Sequence, residues 1–261
     1  MRTVPAGAGG IIEAGAIGFC TRGRCYNAVR TFQDIIMQAD FNRPVLAVDT
    51  GTSYLSLALR ADGEIRLFHQ EAGSRQSEWI LPQIRTLFHD AGITAADLGA
   101  IVYAKGPGAF TGLRIGIGVA QGLATPFDTP LIGIPTLDAA ASLPPPQSCI
   151  LAATDARMGE VFYAWFDTLN RRRLSGYQVG RAADIRLPEG CAFSDGIGSA
   201  FALEETPPFS GKPDMPTAAD FLALALGGGY PATGAAHAEL LYVRDKIALT
   251  AEEQAKRRAR P

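Results

Sequence analysis

The residues with the most chemistry in their spacing are Asp49-Thr50-Gly51-Thr52, a carboxylate, two hydroxyls and a glycine straight after the apolar run Val45–Val48. Such a turn has the form of a phosphate loop. Its glycine lets the backbone close on a ligand, and its amides and hydroxyls face phosphate oxygens. The alternative is a polar turn that simply ends a strand. A nucleotide site of this kind needs a matching second loop, and the nearest candidate is Asp155-Ala156-Arg157-Met158-Gly159. There an arginine stands where a bare glycine is wanted and the glycine comes late, which weakens the nucleotide reading. Gly106 to Gly112 is a further glycine-rich loop, running into a helix. It is either an anion nest at a helix N-terminus or a loop packed closely on its sheet. Gly196-Ile197-Gly198 reads as a loop rather than an adenosine contact.

Other chemistries are poorly served. His69, His89 and His237 are scattered, with no i, i+4 pair to hold a metal. Cys20, Cys25, Cys149 and Cys191 fit neither a zinc site nor a disulfide framework. No Gly-x-Ser-x-Gly elbow is present. These features describe a scaffold with the form of an enzyme but without its reactive groups, and neither a metal nor a cofactor is expected on it.

The elements that must position these residues follow from hydrophobic period. Val45–Asp49 is a buried strand, Ser53–Arg60 a second and Glu64–Ala72 a third, with Ala61-Asp62-Gly63 as a hairpin turn. Ile80, Ile84, Leu87 and Ala91 fall on one helical face, with Pro82 in the first turn or at a kink. Ala100–Ala104 is a strand, followed by a helix for which Thr111 is the expected N-cap. Pro130–Ile134 is a strand and Thr136–Ser142 a short helix. After the Leu143–Gln147 hinge, Cys149–Ala153, Glu160–Phe166 and Arg171–Val179 read as strands. Leu187–Pro216 is mostly irregular, Ala218–Leu226 helical and Leu240–Arg244 a late strand. Near the start, Thr31–Ala39 reads as a short helix. The pattern predicts an α/β protein with a mixed sheet flanked by helices and a shorter second half.

The helix after the glycine loop carries Gly112, Gly116, Gly118 and Gly122, each costing roughly 1 kcal/mol against alanine. Each i, i+4 pair lines one face, so another backbone can come close: the chain's own sheet, a ligand or a partner helix. With the partner helix in that place, Gly116→Leu is expected to abolish binding while the monomer stays folded.

The chain has 261 residues, 47% hydrophobic and 19% charged, with a net charge of −2, which bounds it to one large or two modest globular domains without a general nucleic-acid signature. No run of apolar residues is long enough for a membrane span, and a reduced, cytoplasmic setting is expected. Two basic runs, Arg171-Arg172-Arg173 and Lys256–Arg260, read as solvated surface more readily than as phosphate contacts. Residues 1–43 lack a sustained period and read as a leader, disordered or an upstream start-site artefact, with the working protein beginning near Met37.

Leu46–Thr52, Ser77–Pro82, Lys105–Gly116, Gly133–Leu137, Asp155–Phe162 and Tyr242–Lys246 resemble the corresponding blocks of the TsaB family, a non-catalytic subunit of the bacterial tRNA threonylcarbamoyladenosine machinery. The Gly106-Pro107-Gly108 to Gly116 block and the Asp155–Glu160 block are the most specific. The resemblance runs from about Pro44 to Thr250. It implies two actin-like (ribonuclease H-like) lobes, at 44–143 and 144–250, the second degenerate and shorter, with a charged tail at 251–261. It also implies a partner, the catalytic paralogue, which carries a His-x-x-x-His metal pair. Here the matching stretch is Thr136-Leu137-Asp138-Ala139-Ala140, without either ligand. The pair is expected to form through first-lobe helices, with Trp79, Leu81, Ile84, Gly112, Leu113, Gly116, Ile117 and Gln121 near the seam and Arg85 and Arg114 at its rim. A homodimer is the alternative to that pair. A small ATPase subunit would dock on the pair, and tRNA contact would be indirect or weak. The rival reading is an actin-like ATPase or small-molecule kinase using Asp49, Gly51 and Thr52.

Overall fold

The computed structural model describes residues 36–243 and, before them, only the backbone pairing of β1 (Cys20–Thr21) with β2 (Arg24–Cys25), an antiparallel hairpin within the separate unit Met1–Ile35. The expected helix Thr31–Ala39 falls partly outside the described residues. Its described part is instead β3 (Ile36–Met37), and the charged tail lies outside them altogether.

The first sheet has seven strands in the order β3, β14 (Ala232–Thr233), β8 (Leu131–Pro135), β7 (Ala100–Gly106), β4 (Val45–Asp49), β5 (Tyr54–Ala61) and β6 (Glu64–Glu71). Its centre is β4, a short apolar run buried on both faces, which pairs in parallel with β7 and antiparallel with β5. β5 turns into β6 through Asp62 and Gly63, at φ 52° and 79°, the paired left-handed geometry of a two-residue hairpin. On the far side of β7 lies β8, parallel to it.

Alternation sorts the side chains into two cores. Leu46, Val48, Leu55, Leu57, Leu59 and Ile101 meet α1 (Gln76–Ala91) and α2 (Phe110–Ala124) on one face. Val45, Ala47, Ala58, Val102 and Ala104 meet α3 (Thr136–Ala141) and α4 (Ala218–Leu226) on the other. Pro82 sits inside α1 on its exposed face, and the helix runs through it. α2 starts after Ala109, so Thr111 lies within the first turn and does not cap it.

The second sheet follows the Leu143–Gln147 hinge. β9 (Ile150–Asp155) pairs antiparallel with β10 (Val161–Asp167) and in parallel with β13 (Asp195–Ile197), while the short β11 (Arg172–Arg173) and β12 (Gln178–Gly180) edge β10. Thus the single strand expected over Arg171–Val179 is two short ones, and the irregular Leu187–Pro216 stretch contains β13. α3 is shared between the sheets: Leu137, Ala140 and Ala141 pack on the second core, Ala139 on the first.

Chain order and spatial order then part. α4 packs Phe221 and Leu222 on the first sheet, and β14 (Ala232–Thr233) pairs with both β8 and β3. Residues near the start belong to this body as well: Phe41 packs on the same core, and Arg43 donates to the carbonyls of Ala96 and Asp97 at 2.6 and 3.2 Å. No strand forms over Leu240–Val243. That segment instead crosses the end of β7, where the Leu241 N–H donates to the Lys105 carbonyl at 2.8 Å; Arg244 lies outside the described residues.

Candidate functional site

The turn after β4 and the turn after β9 face each other across a cleft of about 710 Å³ between the two sheets, lined by Gly51, Thr52, Gly108, Thr136, Thr154 and Arg157 among others. On the first side the polar groups are largely spoken for. Asp49 Oδ1 accepts from the Gly51 N–H at 2.8 Å, Thr50 Oγ1 donates to the Gly112 carbonyl at 2.8 Å, and Thr52 Oγ1 accepts from the Tyr54 N–H at 3.1 Å. Gln76, buried at the start of α1, donates to the Thr52 and Tyr54 carbonyls, both at 2.8 Å, so its amide clamps the loop. Burial pushes the Asp49 carboxyl up to about 6, against the pull of the Gly51 N–H.

The glycine loop is part of the same packing. The Ala109 N–H donates to the Gly51 carbonyl at 2.7 Å, and a Cβ on Gly108 would lie 2.6 Å from that oxygen. A Cβ on Gly112 would collide with the Thr50 carbonyl, and one on Gly116 with Thr50 Oγ1. This is the close-packing alternative for Gly106–Gly112, with an amide of the loop already used inside the chain.

On the second side Asp155 is turned onto its own loop. It accepts from the Arg157 N–H at 2.7 Å and pairs with the Arg157 guanidinium at 3.2 Å. Arg157, Met158 and Gly159 run in succession at φ 64°, 60° and 75°, a left-handed stretch that costs non-glycine residues energy. Among the described residues, Thr136 Oγ1 and Thr154 Oγ1 are buried in the cleft lining without a hydrogen-bond partner, and no three His, Cys, Asp or Glu side chains gather as a metal site. Thr136 and Ala140, the positions matching a His-x-x-x-His pair, are both buried. The cleft therefore offers two buried hydroxyls, with Asp49 buried behind the turn that lines it and one flank closed by an internal ion pair.

The residues expected at a partner seam separate into two groups. Leu81 is 55% exposed, Arg85 and Arg114 are exposed, and Trp79 is half-buried under Arg75. Ile84, Leu113 and Ile117, by contrast, are at most 9% exposed and pack inside their own lobe. Gly112 and Gly116 abut Thr50, and Gln121 donates to the Ala235 carbonyl at 2.9 Å. Their inward placement corrects the expected seam: helix phase turns this stripe toward the sheet, and Gly116→Leu tests the core. Arg114 lies over the Phe110 ring at 3.5 Å and meets Tyr242 Oη at 3.4 Å.

The outer face of α2 is made of Ile115, Gly118, Val119, Gly122 and Leu123. Gly118 and Gly122 have nothing within reach of a Cβ, and the three larger residues are half-buried. Their i, i+3, i+4, i+7, i+8 spacing was the available signal for this face. Gln76 had none, since a glutamine opening a helix reads as surface. Two of the three arginines of the basic run are engaged locally: Arg172 lies 3.5 Å from Asp167, and Arg173 donates to the Ser175 carbonyl at 2.8 Å while stacking on Tyr177. The second run, Lys256–Arg260, lies outside the described residues. No helix among the described residues is long and apolar enough to cross a membrane.

Comparison with known proteins gives this geometry its relatives. The family model described as TsaD, tRNA N6-adenosine threonylcarbamoyltransferase, matches residues 69–213. The tRNA threonylcarbamoyladenosine biosynthesis protein TsaB of Escherichia coli is 41% identical over 123 residues, 46% of this chain and 53% of that protein. The Bacillus subtilis protein of the same name is 34% identical over 128 residues, 48% of this chain and 56% of its own length. In these matches the chain spans about half the length of the curated relatives. Among solved structures, YeaZ from Pseudomonas aeruginosa superposes with a TM-score of 0.68 at 30% identity, covering 77% of this chain and 99% of that one. With a solved YeaZ relative at 30% identity covered almost end to end and curated relatives named TsaB at 34–41% identity, the chain belongs to the TsaB (YeaZ) family.

Proposed function

We propose that this chain is a non-catalytic scaffold and activator of the complex that transfers a threonylcarbamoyl group to the tRNA adenosine 3′ of the anticodon, and that it binds the catalytic paralogue through α1 and α2. The observation that carries this reading is the outer face of α2. Ile115, Val119 and Leu123, half-buried against the first core, alternate there with Gly118 and Gly122, and a helix bearing two open glycines admits a second helix at short range. The names of the Escherichia coli and Bacillus subtilis relatives support the pathway. A small ATPase subunit docks on the assembled pair, tRNA contact is indirect, the chain carries no cofactor of its own, and the complex works in the cytoplasm.

The test is co-elution with the His-x-x-x-His paralogue from the same cell. The wild-type chain is expected to form a stoichiometric complex. Gly118→Arg, which sets a charge on the outer face, is expected to weaken binding more than tenfold with an unchanged circular dichroism spectrum. Full binding by that folded variant, or no complex with the wild type, overturns the reading.

The second reading, an actin-like ATPase or small-molecule kinase, draws on the 710 Å³ cleft, its two unpartnered threonine hydroxyls and Asp49 buried behind the Gly51–Thr52 turn. The Arg157–Asp155 pair stands against it, because it occupies the carboxylate a second phosphate loop would use. Saturable ATP binding by the isolated chain, lost in Asp49→Ala, would favour it.

A further inference from the structure

The second sheet holds a pair of thiols that the proposed function does not use. Cys149 lies just before β9, 1% exposed, in a cluster with Leu151, Val161, Trp165 and Ile185. Cys191 sits in the irregular stretch before β13, partly exposed, and packs on the same cluster. That stretch is tied down next to Cys149: the Ser194 N–H donates to the Cys149 carbonyl at 2.9 Å, and the Cys191 N–H to the Pro188 carbonyl at 3.2 Å. Both thiols thus belong to one apolar cluster, and the Cys191 thiol contributes to raising that of Cys149. A disulfide needs its two Cα atoms within about 7 Å, and the Ser194–Cys149 backbone bond, three residues from Cys191, together with the shared cluster brings the two cysteines into one neighbourhood.

We propose that Cys149 and Cys191 form a redox modification site, closed by exchange with a small-molecule disulfide such as oxidised glutathione, which staples the segment before β13 onto β9. In the first step the Cys191 thiolate, the accessible one, attacks a sulfur of glutathione disulfide. A Cys191–glutathione mixed disulfide forms, and one glutathione thiolate leaves and takes up a proton. In the second step Cys149 gives up its proton and attacks the Cys191 sulfur, and the second glutathione leaves. The two protein thiols are oxidised by two electrons, and one glutathione disulfide is reduced to two glutathiones. Burial, and then the neighbouring Cys191 thiol, push the Cys149 thiol up to about 12. The second step is therefore the slow one.

The test uses the full chain without substitutions. It is incubated with glutathione disulfide, quenched with an alkylating agent and mapped as peptides without reduction. The expected product is a Cys149–Cys191 linked peptide, two hydrogens lighter than the reduced pair and released by dithiothreitol. Cys149→Ser is expected to stop at the mixed disulfide on Cys191, and Cys191→Ser to leave Cys149 unreacted while the chain is folded. A wild-type chain that stops at the mixed disulfide, keeps both thiols free, or pairs either cysteine with Cys20 or Cys25 overturns the proposal. None of these outcomes depends on partner binding, so this test and the scaffold test fail separately.

Discussion

Asp49 is an acid held out of water, 3% exposed, and its Oδ1 accepts from the Gly51 N–H. Its carboxyl is pushed from 3.8 to about 6 by burial. Because the folded value is the higher one, the folded chain holds this proton where the unfolded chain has lost it. Stability is fully present below about pH 4 and falls as pH rises toward 6. Above that the loss is complete, at about 3 kcal/mol for about two pKa units. Asp49→Asn keeps an acceptor for Gly51 and removes the charge. The variant is expected to match wild type at about pH 4 and to gain on it by up to about 3 kcal/mol near pH 7. Urea denaturation at several pH values checks this, and a pH-independent difference would show that Asp49 carries no raised pKa. A phosphate loop and a polar turn were equally legible in Asp49-Thr50-Gly51-Thr52. The hydrogen bonds realise the turn, and they do so through Gln76, a residue whose local sequence says nothing about the three carbonyls around it.

At the scale of the element, α2 shows how much a pattern holds and where it stops. The need for close approach was legible in its glycines, but i, i+4 pairing treats Gly112/Gly116 and Gly118/Gly122 alike. Two residues of helix turn the chain by about 200°, so Gly118 faces away from Gly116. The apolar residues Leu113, Ile117, Ala120 and Ala124 carry the phase that distinguishes them. Gly112 and Gly116 serve the chain's own Thr50, while Gly118 and Gly122 are open. The consequence is a pair of opposite effects from one kind of substitution. Gly118→Ala adds helix propensity in open space and is expected to stabilise the monomer by up to about 1 kcal/mol. Gly112→Ala drives a methyl into the Thr50 carbonyl, and a backbone atom has little room to retreat. That variant is expected to lose about 1–3 kcal/mol. Thermal or urea unfolding of the two variants reads this directly, and a stabilised Gly112→Ala would mean that the loop yields to the new methyl.

For the molecule as a whole, the order of elements along the chain was legible and their assembly was not. Hydrophobic period finds the strands and helices, and Asp62-Gly63 even fixes a hairpin. Nothing local tells α4 to return to the first sheet, or β3 to pair with β14 some two hundred residues away, because those choices are made by which apolar face remains uncovered. The same long-range logic joins the sheets. α3 contributes to both cores, and Asp138 on it accepts from Tyr177 Oη of the second lobe at 2.6 Å and from Tyr230 Oη of the returning segment at 3.1 Å. Burial raises the Asp138 carboxyl, while the two phenols and Arg173 oppose that rise. A carboxylate with two short-range donors couples three stretches of chain far apart in sequence. Removing either hydroxyl leaves the acid partly buried with one donor fewer. Tyr177→Phe is therefore expected to cost about 1.5–3 kcal/mol, the range for hydrogen bonds to charged groups, with a smaller loss for the longer bond of Tyr230→Phe. Because both bonds end on one carboxylate, the double variant should depart from the sum of the singles by at least about 0.5 kcal/mol. Denaturation of the two singles and the double closes the cycle. Strict additivity would show that Asp138 holds the two tyrosines independently and that the lobes are joined by α3 packing alone.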